Sequence, residues 1–155
     1  MDIICFPFER VIEINAFILK TEPGMKGAVD IPKLQGALGR IDNAIVYEGL
    51  DDVFEIAAKY TACIAVSHAL PDANKRTGLA VALEYLSLND FELTQENDLL
   101  ADAVRDLVIG IINETDFADI LYAQYAKEQN SHFYHALAFV ITMLCGKLVV
   151  ALAAP

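Results

Sequence analysis

Between two apolar stretches, residues 68–77 read His-Ala-Leu-Pro-Asp-Ala-Asn-Lys-Arg-Thr, which places a base (His68), an acid (Asp72), an amide (Asn74) and two cations (Lys75 and Arg76) side by side. Hydrophobic cores do not carry such a mixture. A helix opening just beyond Asn74 would present unpaired N–H groups and a partial positive charge, which together form an anion site. Small Ala73 lets a phosphate come close to that backbone, and Lys75 and Arg76 add two full charges at the same place. Cations in the first turn of a helix oppose its dipole, so their placement is unfavourable until an anion arrives. Each residue also has a plainer reading: His68 as a capping or core histidine, Asp72 as a helix cap, Lys75 and Arg76 as a solvated turn. Taken together, the segment has the chemistry of a polyphosphate site.

The elements that must hold this segment are helical. Apolar residues recur at helical spacing over 9–20 (Val11, Ile14, Phe17, Ile18), over 33–47 (Leu34, Leu38, Ile41, Ile45) and over 98–113 (Leu100, Val104, Leu107, Ile111). Asp51 and Asp52 offer an N-cap to a helix beginning near Val53. Within it, residues 60–66 (YTACIAV) are apolar or small almost all round, as in a helix at the centre of a bundle. Pro71 marks a break over 67–74, and a partner helix follows, apolar at Leu79, Leu83 and Leu86. A last helix is expected from Thr115, with a cap there and with Asp116 and Asp119 suiting the dipole. Residues 21–32 (TEPGMKGAVDIP) interrupt the periodicity with turn residues and form a loop or flap. The fold class predicted is all-α, a compact single-domain bundle with a short flap before the central helix pair.

The chain has 155 residues, enough for one core, and 55% of them are hydrophobic, which excludes a disordered or loop-dominated protein. A formal net charge of −11 argues against direct binding of nucleic acid and against charge-driven docking to anionic lipid. Cys5, Cys63 and Cys145 are odd in number and far apart, which favours neither a disulfide framework nor a zinc site and suits the cytoplasm. The N-terminal residues, acidic at position 2 and charged again at Glu9 and Arg10, do not match a signal peptide. His132 and His135 lack Cys or carboxylate neighbours at ligand spacing and are taken as structural, as are Tyr122, Tyr125 and Tyr134. From Phe133 to Pro155 the only ionised side chain is Lys147. A span needs about 20 apolar residues, so this tail is expected to pack on the body or on a neighbouring subunit, with membrane association as the alternative.

HALPDANKRTG resembles the signature of the Fic/Doc family: His, any residue, Phe, any residue, Asp or Glu, Gly or Ala, Asn, Gly or Lys, Arg. It is most similar to the death-on-curing (Doc) branch, which also has Lys at the position of Lys75. PGM at 23–25, ALGRIDNAIVYEG at 37–49 and DVFEIAAKY at 52–60 extend the likeness over about residues 9–127. The resemblance implies a Fic/Doc-like catalytic domain over residues 1–128 and an apolar C-terminal extension over 129–155. It implies His68 as general base for a target hydroxyl, Asp72 as the ligand of Mg²⁺, and a phosphate cradle for ATP made by Ala73, Asn74, Lys75 and Arg76. The segment from Pro23 to Ile31 would be the flap that aligns the target peptide.

Doc-type proteins phosphorylate a threonine of elongation factor Tu and halt translation, so the resemblance implies a toxin with that partner, a cognate antitoxin, and homo-oligomers as a further option. Three departures stand out: Leu70 replaces the usual Phe, Leu79 stands where many AMP-transferring members have a second Arg, and the residues after about Lys127 have no counterpart in a minimal Doc domain. A second reading is an AMP transferase, which would want Gly at position 75. A third is a catalytically silent binding module, against which the intact His68, Asp72, Asn74 and Arg76 speak. The chain also lacks the self-restraining pattern of Ser or Thr, three residues, Glu, then Gly or Asn.

Overall fold

In the computed structural model, the described residues are 6–94 and 98–152, with side chains described as far as Phe133. They form six α-helices and no strand, in agreement with the all-α expectation. The Asp52 carboxylate accepts from the N–H groups of Phe54 (2.8 Å) and Glu55 (2.9 Å) and so starts α3, Val53–Ser67. From Phe54 to Ser67 this helix is buried on nearly every side, and only Glu55 in its first turn and Val66 near its end are exposed. α2 (Ile31–Tyr47), α4 (Asn74–Leu88), α5 (Asp98–Val108) and α6 (Glu114–Leu152) all pack on it, while α1 (Phe8–Thr21) lies against α4 and touches α2. The run of small and apolar residues is thus central because it has neighbours on all faces.

The closest of these contacts is between α3 and α4. A Cβ on Gly78 would stand 2.8 Å from the Thr61 carbonyl oxygen and 3.4 Å from the Ala65 nitrogen, so only glycine permits this approach. Around the pair, Phe54 meets Phe91, Tyr122 and Tyr125 edge-on or tilted, with ring centroids 5.0–5.9 Å apart. The Tyr60 ring packs at a tilt against Tyr85, and its hydroxyl accepts from the Phe6 N–H at 2.9 Å. Arg10 clamps α1 to α4 through a two-pronged contact with Glu84, at 2.7 and 3.0 Å.

Three boundaries differ from the sequence reading. α2 starts at Ile31, two residues early, because the Asp30 carboxylate caps the Lys33 N–H (3.1 Å) and Pro32 suits the first turn; the flap therefore ends at Asp30. α5 stops at Val108, where Gly110 takes φ 79° and the N–H groups of Gly110 and Ile111 return to the carbonyls of Leu107 and Asp106. α6 is capped by Asn113 and not at Thr115: the Asn113 side chain accepts from the Asp116 N–H and Asp116 from the Asn113 N–H, both at 2.9 Å.

α6 has 39 residues, about 58 Å at 1.5 Å per residue, and continues unbroken through residues 128 and 129. Among the described residues, no helix is long and apolar enough to cross a membrane. The expected packing of the 133–155 tail, together with His135, Tyr134 and Cys145, lies outside the described side chains, as Cys5 lies outside the described residues. Cys63 is a buried free thiol whose pKa burial pushes up.

The helix contact at Gly78 generates a direct test. Gly78→Ala is expected to lose about 1–3 kcal/mol in urea denaturation, because a methyl must displace backbone. Gly36→Ala, on an exposed face of α2 with nothing within 4 Å, should be neutral or gain up to about 1 kcal/mol. Equal stability of the two variants would contradict the close approach.

Candidate active site

The turn that joins α3 to α4 is made by residues in unusual backbone states. α3 ends at Ser67, whose hydroxyl donates to the Ile64 carbonyl (2.8 Å) and accepts from the Ala69 N–H (3.2 Å). His68 then takes φ 49° and ψ 32°, the left-handed region, and turns the chain out of the helix with its side chain exposed. The break thus comes three residues before Pro71. Ala69 and Leu70 turn inward and are 2% and 4% exposed. Leu70, in place of the family's Phe, is therefore an anchor in the core.

Asn74 closes the turn from the other side. Its amide donates to the Leu70 carbonyl at 3.1 Å and its side-chain oxygen accepts from the Leu70 N–H at 3.2 Å. The side chain is engaged within the loop, so the part of Asn74 that faces outward to an anion is its main-chain N–H. Ala73 is the second left-handed residue (φ 59°) and precedes α4 without capping it through its side chain. The first turn of α4 therefore has no side-chain cap and keeps the positive end of its dipole for another partner.

Asp72 accepts from two N–H groups, Met25 on Oδ2 at 2.9 Å and Ala73 on Oδ1 at 2.5 Å. The Met25 contact first, the Ala73 contact next and the Arg76 charge in addition hold its carboxyl below the usual carboxylate range. It is ionised at neutral pH and each oxygen keeps a lone pair beyond the one in use. Among the described residues no cluster of three or more His, Cys, Asp or Glu could hold a metal. A single carboxylate beside a phosphate site suits Mg²⁺, which keeps several waters and takes its remaining ligands from substrate phosphates.

The flap lies directly on this turn. Arg76 donates from Nη1 to Glu22 Oε2 at 2.5 Å and from Nη2 to the Pro23 carbonyl at 3.0 Å, and the Asp30 N–H donates to the Ala69 carbonyl at 2.8 Å. A Cβ on Gly24 would meet Leu19 Cδ2 at 2.5 Å and Asp72 Oδ2 at 3.3 Å, so glycine lets the flap lie close to α1 and to the turn together. Lys75 is exposed, and among the described residues no carboxylate pairs with it.

The structure thus brings His68, Asp72, Ala73, Asn74, Lys75 and Arg76 onto one turn, with Leu79 directed to the core side of α4. Sequence reasoning missed the contacts of three residues. Glu22 and Met25 lie 54 and 47 residues from their partners; Met25 is marked only as part of PGM and the flap, with nothing to point to its bond with Asp72. Asn15 is buried at 2% exposure and bonds to Asp72 and Thr77; its one signal is a polar residue inside the apolar stripe of α1.

Comparison with known proteins agrees with this geometry. The family model described as the Fic/DOC family matches residues 5–86. The chain is 30% identical over 121 residues to "Protein kinase doc" of Escherichia phage P1, covering 78% of this chain and 95% of the phage protein. The family model covers more than half of the chain and includes the turn that carries His68 to Arg76, and with the 30% identity to the phage protein it shows that this chain belongs to the Fic/DOC family.

Proposed function

We propose that this chain is a toxin-type protein kinase that transfers the γ-phosphate of ATP to a Thr or Ser hydroxyl of a translation factor in the cytoplasm, with elongation factor Tu as the target. The observation that carries the reading is the α3–α4 turn, where an exposed His68 and an ionised Asp72 flank an uncapped helix N-terminus bearing Lys75 and Arg76. Similarity to a relative named as a protein kinase supports phosphoryl transfer.

In this reading His68 takes the proton of the target hydroxyl. The oxygen bonds to the γ-phosphorus, the bond from that phosphorus to the β–γ bridging oxygen breaks, and ADP leaves. Asp72 would hold Mg²⁺, whose chemistry when bound is to neutralise charge on the phosphate oxygens. Lys75, Arg76 and the main-chain N–H groups of 74–76 stabilise charge on the leaving diphosphate, while the Ala73 N–H holds the Asp72 carboxylate. Lys75 fills space that an AMP transferase would need open, and Leu79 packs against the core in place of a second guanidinium. Both favour the terminal phosphate as the group transferred.

The flap supplies a docking edge for the target. Between its anchors at Met25 and Asp30, residues 26–29 make no main-chain hydrogen bonds with other described residues, so their N–H and C=O groups are open to an extended peptide. The Glu22–Arg76 pair is 52% and 39% exposed, and exposed pairs contribute only about 0–1 kcal/mol. It competes with nucleotide for Arg76 without locking the site. Restraint of a toxin then falls to a separate antitoxin, consistent with the lack of a self-restraining pattern in the sequence.

Two outcomes test this. With ATP labelled at either the α- or the γ-phosphate, label should reach elongation factor Tu only from the γ position, and His68→Ala should abolish it; transfer from the α position alone would establish AMP transfer instead. Glu22→Gln should lower KM for ATP by up to about fivefold, the equivalent of 1 kcal/mol, with kcat little changed. A purified wild-type chain that is inactive until Glu22 is replaced would show self-restraint and contradict control by an antitoxin.

A further inference from the structure

Asn15 sits where the periodicity of α1 calls for an apolar residue, next to Ile14 and one turn from Val11 and Ile18, all buried. Its side-chain nitrogen spends both hydrogens: one on the Asp72 carbonyl at 2.9 Å, the other on Thr77 Oγ1 at 3.0 Å. Those two acceptors bracket the cradle, since Asp72 closes the turn and Thr77 lies in the first turn of α4, where its N–H donates to the Ala73 carbonyl at 2.8 Å.

The first of the two bonds has a geometric consequence. A trans peptide is a rigid plate whose C=O and N–H point in opposite directions. Drawing the Asp72 carbonyl inward to α1 therefore turns the Ala73 N–H outward, to the side where it meets Asp72 Oδ1. The plate leads into Ala73 at φ 59°, a state that a residue with a Cβ holds only when its surroundings enforce it. Flipping the plate would swing that N–H away from the face that carries Asp72 and Arg76.

We infer that Asn15 is a positioning residue that fixes the Asp72–Ala73 peptide plane, and through it the Ala73 N–H bond that holds the Asp72 carboxylate on the face proposed for the nucleotide phosphates. Asn15 reaches no ligand itself; it acts through the turn. The inference rests on the turn being the nucleotide site, as proposed above.

The experiment uses the full chain and three proteins: wild type, Asn15→Leu, and Asn89→Leu as a control. Asn89 is also a buried amide, donating to the Tyr85 carbonyl at 2.8 Å, but at the far end of α4. For each, the thermal midpoint, the Mg-ATP affinity by calorimetry and the nucleotide-free Ala73 amide proton resonance are measured. In wild type that proton should be displaced downfield by its charge-assisted bond. Asn15→Leu should return it to the ordinary amide range and weaken Mg-ATP at least tenfold, whereas Asn89→Leu should lower the thermal midpoint and leave both readouts unchanged.

A folded Asn15→Leu with wild-type resonance and wild-type affinity would overturn the inference. If wild type itself fails to bind Mg-ATP, the nucleotide reading fails, and the Ala73 resonance still decides whether Asn15 sets the plane. Should Asn15→Leu not fold, Asn15→Ser, too short to reach the Asp72 carbonyl, is read in the same way.

Discussion

At Gly78 the backbone of α4 runs against that of α3, and the Thr61 carbonyl oxygen lies 2.8 Å from where a side chain would begin. Two helices held so close at the first turn of the second leave only residues 68–73 to reverse the chain. The reversal is made by two left-handed residues, His68 and Ala73, with Ala69 and Leu70 turned into the core between them. Every polar group of the turn follows from that geometry. Leaving α3 at His68 exposes its ring, and entering α4 from Ala73 leaves the first turn without a side-chain cap. The chemistry of the turn is thus a product of helix packing, and a bulkier residue at position 78 would disturb it without touching a charged group.

The flap complements the turn charge for charge. A carboxylate and a carbonyl oxygen face the Arg76 guanidinium, and an N–H faces the Asp72 carboxylate. These contacts are exposed and individually weak, so in the proposed function nucleotide phosphates and a cation would replace them without loss of fold. The same flap is pinned at Asp30 to the Ala69 carbonyl, while residues 26–29 keep their main-chain groups open. In the proposed function one short segment therefore attends both to the phosphate side of the site and to its peptide side. In a chain of net charge −11, a local cationic turn also stands out electrostatically, which favours a polyanion of limited size over a nucleic acid.

Much of this was legible in the residues because it depends on local pattern. The periodicity of 33–47, the Asp52 cap and the apolar run of 60–66 locate the central helix, and the composition of 68–77 locates the turn. The ends of α5 and α6 were not legible to the same degree. Apolar spacing continues through Ile111, but the positive φ of Gly110 ends α5 first, and Asn113 outcompetes Thr115 as a cap because Asp116 can answer it. The break expected over 67–74 lies where α3 ends at Ser67 and α4 begins at Asn74, but its first cause is the left-handed His68, three residues before Pro71. The bonds of the Asn74 side chain to both polar groups of Leu70 are not readable from its place in the motif, and they leave its main-chain N–H as its proposed contribution to the cradle. Glu22, Met25 and Asn15 act through contacts 47 to 62 residues apart; the sequence marks Asn15 as a polar break in an apolar stripe and Met25 as part of the flap, but names the partner of neither.

The central claim is that the α3–α4 turn binds the phosphates of Mg-ATP. The most direct measurement is a titration of the ¹⁵N-labelled chain with Mg-ATP, following every backbone amide. The account predicts that Ala73, Asn74, Lys75 and Arg76 shift most, together with Met25 and Gly24 of the flap as their contacts with Asp72 and Arg76 give way. Saturable shifts confined to another part of the molecule, with residues 73–76 unmoved, would contradict it.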